Sequence, residues 1–302
     1  MLVRSRISEP KSTALGRSLE GRKTLRYLAA VGAVVASLLL TQIAAAAPVA
    51  IDSTNLTGPG PSTWEPRNNP LRIDANPCEA DLGYSAVLDG NFDGMPDAFD
   101  GGGMLKVGGT TFKDGDGQGD LVGQSLSTGP VKAGNLRVSR TDTALATSPT
   151  LRSVIGLRNP TNSSVSTTVI WDNGLGSDGA EAVRASSDGN KSFTAADRWV
   201  VSSDSATAPH DPPVTAALFG KQGAVTANAV LDAPGGTGCI TVSFRVSVPA
   251  GSTRYLMLFL EMHSTNDKAA RSAGKFNDRN LSSDLLSGIS SKIKQRILNW
   301  NV

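Results

Sequence analysis

The stretch from Cys239 to His263 limits what this chain can fold into more than any other. Ile240, Val242, Phe244, Val246 and Val248 alternate with Thr241, Ser243, Arg245 and Ser247, the period-two pattern of a strand with one buried and one wet face. Pro249-Ala250-Gly251-Ser252 follows, and it combines a fixed φ with a residue that tolerates positive φ, so a tight turn is predicted. Beyond it, Tyr255, Met257 and Phe259 occupy one face of the next strand, while Leu256, Leu258, Leu260 and Met262 occupy the other. A strand that is apolar on both faces belongs in the middle of a core, covered by a layer on each side.

Residues 1–46 are set apart from this fold. Arg17, Arg22, Lys23 and Arg26 precede an apolar run from Tyr27 to Leu40 and the small residues Ala44 to Ala47, the order of a secretory signal peptide. The run is short for a membrane span, which makes a signal anchor the lesser alternative. Arg22-Lys23-Thr24-Leu25 lacks the second arginine of a twin-arginine signal, so ordinary export is expected. This leader holds seven of the 29 Lys and Arg residues and two of the 27 Asp and Glu residues. What remains has 22 basic and 25 acidic side chains, a formal net charge of −3. The basic character belongs to the leader, and no nucleic-acid footprint or mature membrane span is expected. Cys78 and Cys239 are the two cysteines. In an oxidising compartment a disulfide between them is the default, contributing about 5 kcal/mol in the chain-entropy model, with two free thiols as the alternative.

Residues 47–80 are rich in Pro, Asn, Thr and Ser and read as a wrapping arm, which Trp64 pins to the body or presents as a ligand platform. Strand-like pieces then recur at short intervals, including Tyr84 to Leu88, Met104 to Val107, Leu151 to Leu157 and Val165 to Trp171, with Arg158 to Asn162 as a turn. Residues 81–263 are therefore expected to form an antiparallel β-sandwich, Ig-like or jelly-roll-like. From 264 to 302 the pattern becomes helical. Ser264-Thr265-Asn266-Asp267 caps one short helix that stops at Gly274, and Ser290 caps a second with Ile293, Ile297 and Trp300 on one face. This segment is expected to pack on the sandwich.

From Leu151 to the C-terminus the chain resembles a family of exported bacterial proteins of unassigned function. The matching phrases are Leu157-Arg-Asn-Pro-Thr161, Phe193-Thr-Ala-Ala-Asp-Arg-Trp-Val200, Val248-Pro-Ala-Gly-Ser-Thr-Arg254 and Ile297-Leu-Asn-Trp300. The resemblance implies a secreted bacterial β-sandwich and brings no catalytic residues with it.

The sharpest chemical motif is Asp89 to Asp100. Asp89, Asn91, Asp93, Asp97 and Asp100 fall at positions 1, 3, 5, 9 and 12, Gly94 falls at 6, and Met95 offers a carbonyl at 7. A Ca²⁺ ion needs that convergence of oxygens around a sharp turn. The stretch resembles the calcium loops of EF-hand, dockerin and thrombospondin type 3 repeats, although position 12 is Asp rather than Glu and no amphipathic helix flanks it. The alternative is a polar turn. A second acidic loop, Asp114 to Asp120, reads as a Gly-rich turn. Period-two spacing places Glu261 and His263 on one face, an arrangement compatible with a secreted hydrolase, whereas His210-Asp211 lies in a loop. Trp64, Trp199, Trp300 and Tyr84 are candidate sugar platforms for a carbohydrate-binding module. The leading expectation is a secreted, non-catalytic, calcium-stabilised structural or adhesive module for an extracellular partner or polysaccharide.

Overall fold

Alternating patterns of this kind, repeated at short spacing, build strands throughout a computed structural model that describes residues 46–68, 84, 86–176, 182–221, 223–225, 227–232 and 239–302. The strands are β1 (Ala47–Ala50), β2 (Leu56–Gly58), β3 (Ser62–Trp64), β4 (Gly90–Phe92), β5 (Met104–Val107), β6 (Thr110–Thr111), β7 (Gln118–Val122), β8 (Ser125–Ala133) and β9 (Leu136–Ala144). They continue as β10 (Thr150–Arg158), β11 (Val165–Gly174), β12 (Ala182–Ser186), β13 (Trp199–Ser203), β14 (Val214–Ala217), β15 (Ala227–Asp232), β16 (Cys239–Val248) and β17 (Thr253–Met262). Two short helices follow, α1 (Asn266–Ala273) and α2 (Ser291–Lys294). Residues 1–45 of the expected signal peptide lie outside the described residues. Among the described residues no helix is long and apolar enough to cross a membrane.

The architecture is an antiparallel β-sandwich. A nine-stranded sheet, ordered β1-β7-β8-β9-β10-β17-β14-β13-β12, faces a five-stranded sheet, ordered β15-β16-β11-β5-β6. A third, three-stranded sheet is formed by β2, β3 and β4. Between the large sheets lies one apolar core, with Leu151, Ile155, Leu256, Leu258 and Leu260 from one side and Val169, Trp171, Val242, Phe244 and Val246 from the other. β17 sits between β10 and β14, in the interior of its sheet, as its two apolar faces require.

The turn at Pro249 to Ser252 differs from a simple hairpin. β16 pairs with β11 and β15, whereas β17 pairs with β10 and β14, so the chain passes from one sheet to the other. The turn at 158–162 does the same between β10 and β11. Both strands of each pair must put their apolar faces into one core from opposite sides, and only a corner across the sandwich allows that. The two corners are bonded side by side. Buried Asn159 donates from Nδ2 to the carbonyls of Ser163 (2.7 Å) and Val248 (2.9 Å), and Gly251 N–H donates to Thr161 O at 3.1 Å. Gly251 has φ +62°, the left-handed conformation the corner needs.

Residues 47–68 are more ordered than a wrapping arm. They carry β1, β2 and β3, and Trp64 is fully buried. Pro48 is compatible with β1 because β1 is an edge strand, paired on one side with β7. Among the described residues of 84–88, pairing is confined to an isolated bridge at Val87, and β7 and β8 arise where few apolar residues announced them.

The outer face of the nine-stranded sheet is divided in two. Over β13, β14 and β17 the residues Trp199, Val201, Ala217, Met257 and Phe259 form a second apolar layer with Ala269, Phe276, Leu285, Ile297 and Trp300 of the C-terminal segment. Over β8 and β9 the outward residues include Ser125, Ser127, Ser139, Thr141 and Thr143, with hydroxyl hydrogen bonds of 2.9 Å between Ser125 and Thr143 and between Ser127 and Thr141. The apolar half is covered and the hydroxyl half is bare, as the cost of leaving apolar surface in water dictates.

Candidate functional site

A groove runs along the boundary between those two halves. Its volume is ≈ 660 Å³, within the range of about 300–1,000 Å³ typical of ligand clefts. Ser139, Thr141 and Thr143 of β9 form its floor, Tyr255 of β17 and Arg152 of β10 stand beside them, and Ser287, Gly288, Ile289 and Ile293 form a wall. Period two places these β-strand residues on one face, opposite Val138, Arg140 and Asp142, which point into the core.

Tyr255 is partly exposed there. Its backbone is fixed by the C-terminal segment, since Tyr255 N–H donates to Arg296 O (3.0 Å) and Leu298 N–H donates to Tyr255 O (2.9 Å). Arg152 is 3% exposed. Its Nη1 donates to the carbonyls of Leu285 (2.8 Å) and Ser287 (2.7 Å), tying the wall to the sheet, while Nε has no hydrogen-bond partner. Burial lowers its pKa to about 10. Among the described residues, neither Asp nor Glu lines the groove.

The residues expected from sequence are distributed differently. Trp64, Tyr84, Trp199 and Trp300 are buried, at 0%, 0%, 5% and 4% exposure, so none serves as a sugar platform. Trp64 packs on Phe99, Tyr84 donates to Asp142 Oδ2 at 2.7 Å, Trp199 donates to Asn277 Oδ1 at 3.0 Å, and Trp300 donates to Met257 O at 2.6 Å. With few aromatic residues in the chain, core formation takes them first. The partly exposed ring in the groove belongs to Tyr255, which its strand pattern alone presents as one more residue of an apolar face.

Glu261 and His263 do come together, with His263 Nε2 3.4 Å from Glu261 Oε2. Two further partners were not legible in the local sequence. Thr150 Oγ1 donates to Glu261 Oε1 at 2.6 Å, and Lys275 Nζ donates to the same oxygen. Burial pushes the Glu261 pKa up, but the His263 hydrogen bond and the Lys275 charge outweigh it and bring it down to about 2. Fully buried and bonded at both oxygens, Glu261 ties β17 to the turn after α1 as a charge clamp. His210 is exposed and lies 3.2 Å from Asp204 Oδ2.

Asp89 to Asp100 contains β4 and the tight turn that follows it. Asp93, Gly94 and Asp97 take left-handed conformations with φ of 57°, 79° and 67°. Phe92 N–H donates to Met95 O at 3.0 Å, and Asp97 N–H donates to Asp89 Oδ1 at 3.1 Å, so two of the expected calcium oxygens hold the turn closed. Burial raises the Asp89 pKa, with further upward pushes from Asp97 and Glu65. Among the described residues, no group of three or more His, Cys, Asp or Glu side chains converges as a metal site. Cys239 is buried at the start of β16, and Cys78 lies outside the described residues.

No family model and no curated protein matches this chain. Among solved structures it is similar to a polysaccharide lyase, at 11% identity and a TM-score of 0.39 over 68% of this chain. The match spans 34% of the length of that lyase, a likeness too slight to assign an activity.

Proposed function

We propose that this protein is a non-catalytic, exported β-sandwich module that adheres to polysaccharide through the groove on its nine-stranded sheet. The observation that carries this reading is the groove's lining, in which partly exposed Tyr255 shares the groove with Ser139, Thr141 and Thr143. A sugar ring presents apolar C–H faces and a rim of hydroxyls, and an aromatic side chain beside hydroxyl-bearing residues answers both. Retention of the intact chain on insoluble polysaccharides tests it. Tyr255→Ala should weaken binding about tenfold or more, the effect of losing an aromatic contact with its buried area. Equal retention of parent and variant would remove the groove from the function.

Within the same reading, the Asp89–Asp100 turn is proposed as a calcium-stabilised element. Supporting this are the alternate oxygen spacing and the half-buried Asp89 held near Asp97 and Glu65. If calcium binds, thermal unfolding in millimolar Ca²⁺ should occur several degrees above that in chelator, since a hundredfold excess over Kd stabilises by about 2.7 kcal/mol. Asp89→Ala should abolish the difference, and an unchanged midpoint in the parent would reduce the motif to a turn.

A further inference from the structure

The buried arginines of this sandwich are treated unequally. Arg140 lies in the core with Asp142 as its counter-ion at 2.9 Å, and both side chains are fully buried. Ser153 donates to Asp142 Oδ1, Tyr84 donates to Asp142 Oδ2, and Arg140 Nη1 donates to Gly103 O, so that charge is neutralised and hydrogen-bonded on every side. Arg152 sits two residues along the same sheet face as Val154, beneath the groove, with neutral carbonyls as its acceptors and an unpartnered Nε. Among the described residues no ion pair engages it. Tying two carbonyls to a sheet needs a donor but no charge, and a buried charge without a counter-ion costs several kcal/mol in general. That cost is offset when an anion arrives in the cleft that the charge adjoins.

We infer that the groove is built for an acidic polysaccharide, one whose sugar carboxylate settles over Arg152 while a neighbouring ring lies on Tyr255. This rests on the glycan-binding reading and narrows its ligand class. Among the described residues no Asp or Glu lines the groove, so none there competes for Arg152 or repels the incoming carboxylate. The hydroxyls of Ser139 and Thr143 supply donors to the remaining carboxylate and ring oxygens. The wall is coupled to the same residue, because the carbonyls of Leu285 and Ser287 are held by Arg152.

The test is binding of the intact chain to polygalacturonate and alginate, to fully methyl-esterified polygalacturonate as the neutral match, and to dextran sulfate. The carboxylate polymers should bind about tenfold tighter than the neutral ester, the worth of one charge-assisted contact, and the preference should shrink as salt screens it. Arg152→Gln should level the acidic and neutral polymers. Ser139→Asp, a change at an exposed floor position, keeps Arg152 and its ties in place, and through like-charge repulsion it should weaken the acidic polymers about tenfold more than it weakens the ester, which loses only the Ser139 hydroxyl contact. Equal binding of acid and ester by the parent overturns the acidic class and leaves the glycan reading standing. Stronger binding of dextran sulfate than of both carboxylate polymers overturns the carboxylate. Failure of every polysaccharide to bind overturns the glycan reading with it.

Discussion

Glu261 would be neutral if burial alone set its charge. Fully buried near the end of β17, it is instead held ionised by His263 and Lys275, with a pKa of about 2 against an ordinary value of 4.5, and Thr150 donates to the same carboxylate. A carboxylate whose pKa is depressed on folding contributes stability that is complete above its unfolded value and lost as pH falls through the folded one. The window therefore opens near pH 5 and closes near pH 2, and the full contribution is on the order of 3 kcal/mol. Glu261→Gln should destabilise the protein by about that amount at pH 7, since it also strands the Lys275 charge. By pH 3 the gap between parent and variant should narrow by more than half. Urea unfolding at both pH values checks this, and a gap independent of pH would contradict the charge clamp. The pairing of Glu261 with His263 was legible as a period-two spacing. Thr150 and Lys275 were not, since they lie 111 and 14 residues away in the chain. The aromatic residues make the same point differently: composition shows how few there are, but only the packed core shows that Trp64, Trp199 and Trp300 are consumed by it while Tyr255 is left at its margin.

Strands are where local pattern and fold agree best here. β16 and β17 occupy nearly the spans that alternation predicts, because each side chain's direction follows from the pleat. Which sheet a strand joins is a long-range matter, so the turn at Pro249 to Ser252 reads as a hairpin until β11 and β10 are seen to claim the two strands separately. The C-terminal helix shows the same limit. Ser290 caps α2 as expected, its Oγ accepting from Ile293 N–H, but the helix ends at Lys294 instead of continuing to Trp300. Beyond it the chain runs beside β17, where β14 has ended, and fills the backbone positions left open. Asn299 Oδ1 accepts from Met257 N–H at 2.9 Å, while Nδ2 donates to Leu218 O at 2.8 Å and Met257 O at 2.6 Å. Hydrogen bonds to an open sheet position thus outweigh the spacing of Ile293, Ile297 and Trp300. Asn299→Ala would strand one buried N–H and weaken two carbonyls, at a cost of about 3 kcal/mol. Denaturant unfolding should show that loss, with faster amide exchange at 295–302. A cost below about 0.5 kcal/mol, the range of ordinary surface substitutions, would mean that Asn299 does not anchor the segment.

For the molecule as a whole, the layer count follows from the apolar faces. Two sheets share one core, and the C-terminal segment adds a third layer only where the outer face of the nine-stranded sheet is apolar. The groove lies where that covering layer stops, against the bare hydroxyls of β8 and β9. Sequence shows hydroxyls at every second position, Ser139, Thr141 and Thr143. It could not show that Ser139, Arg152, Tyr255 and Ser287 meet, because four separate segments supply them. The five-stranded sheet has its own, more open depression of ≈ 720 Å³ around Thr167 and Arg245, which provides an internal comparison. Amide hydrogen exchange of the intact chain, with and without a retained polysaccharide, distinguishes the two faces. Binding in the groove should slow exchange in 139–143, 152–156 and 285–293 and leave 166–168 and 245–247 unchanged. Protection confined to the five-stranded sheet, or none under saturating polysaccharide, would contradict the groove as the binding site.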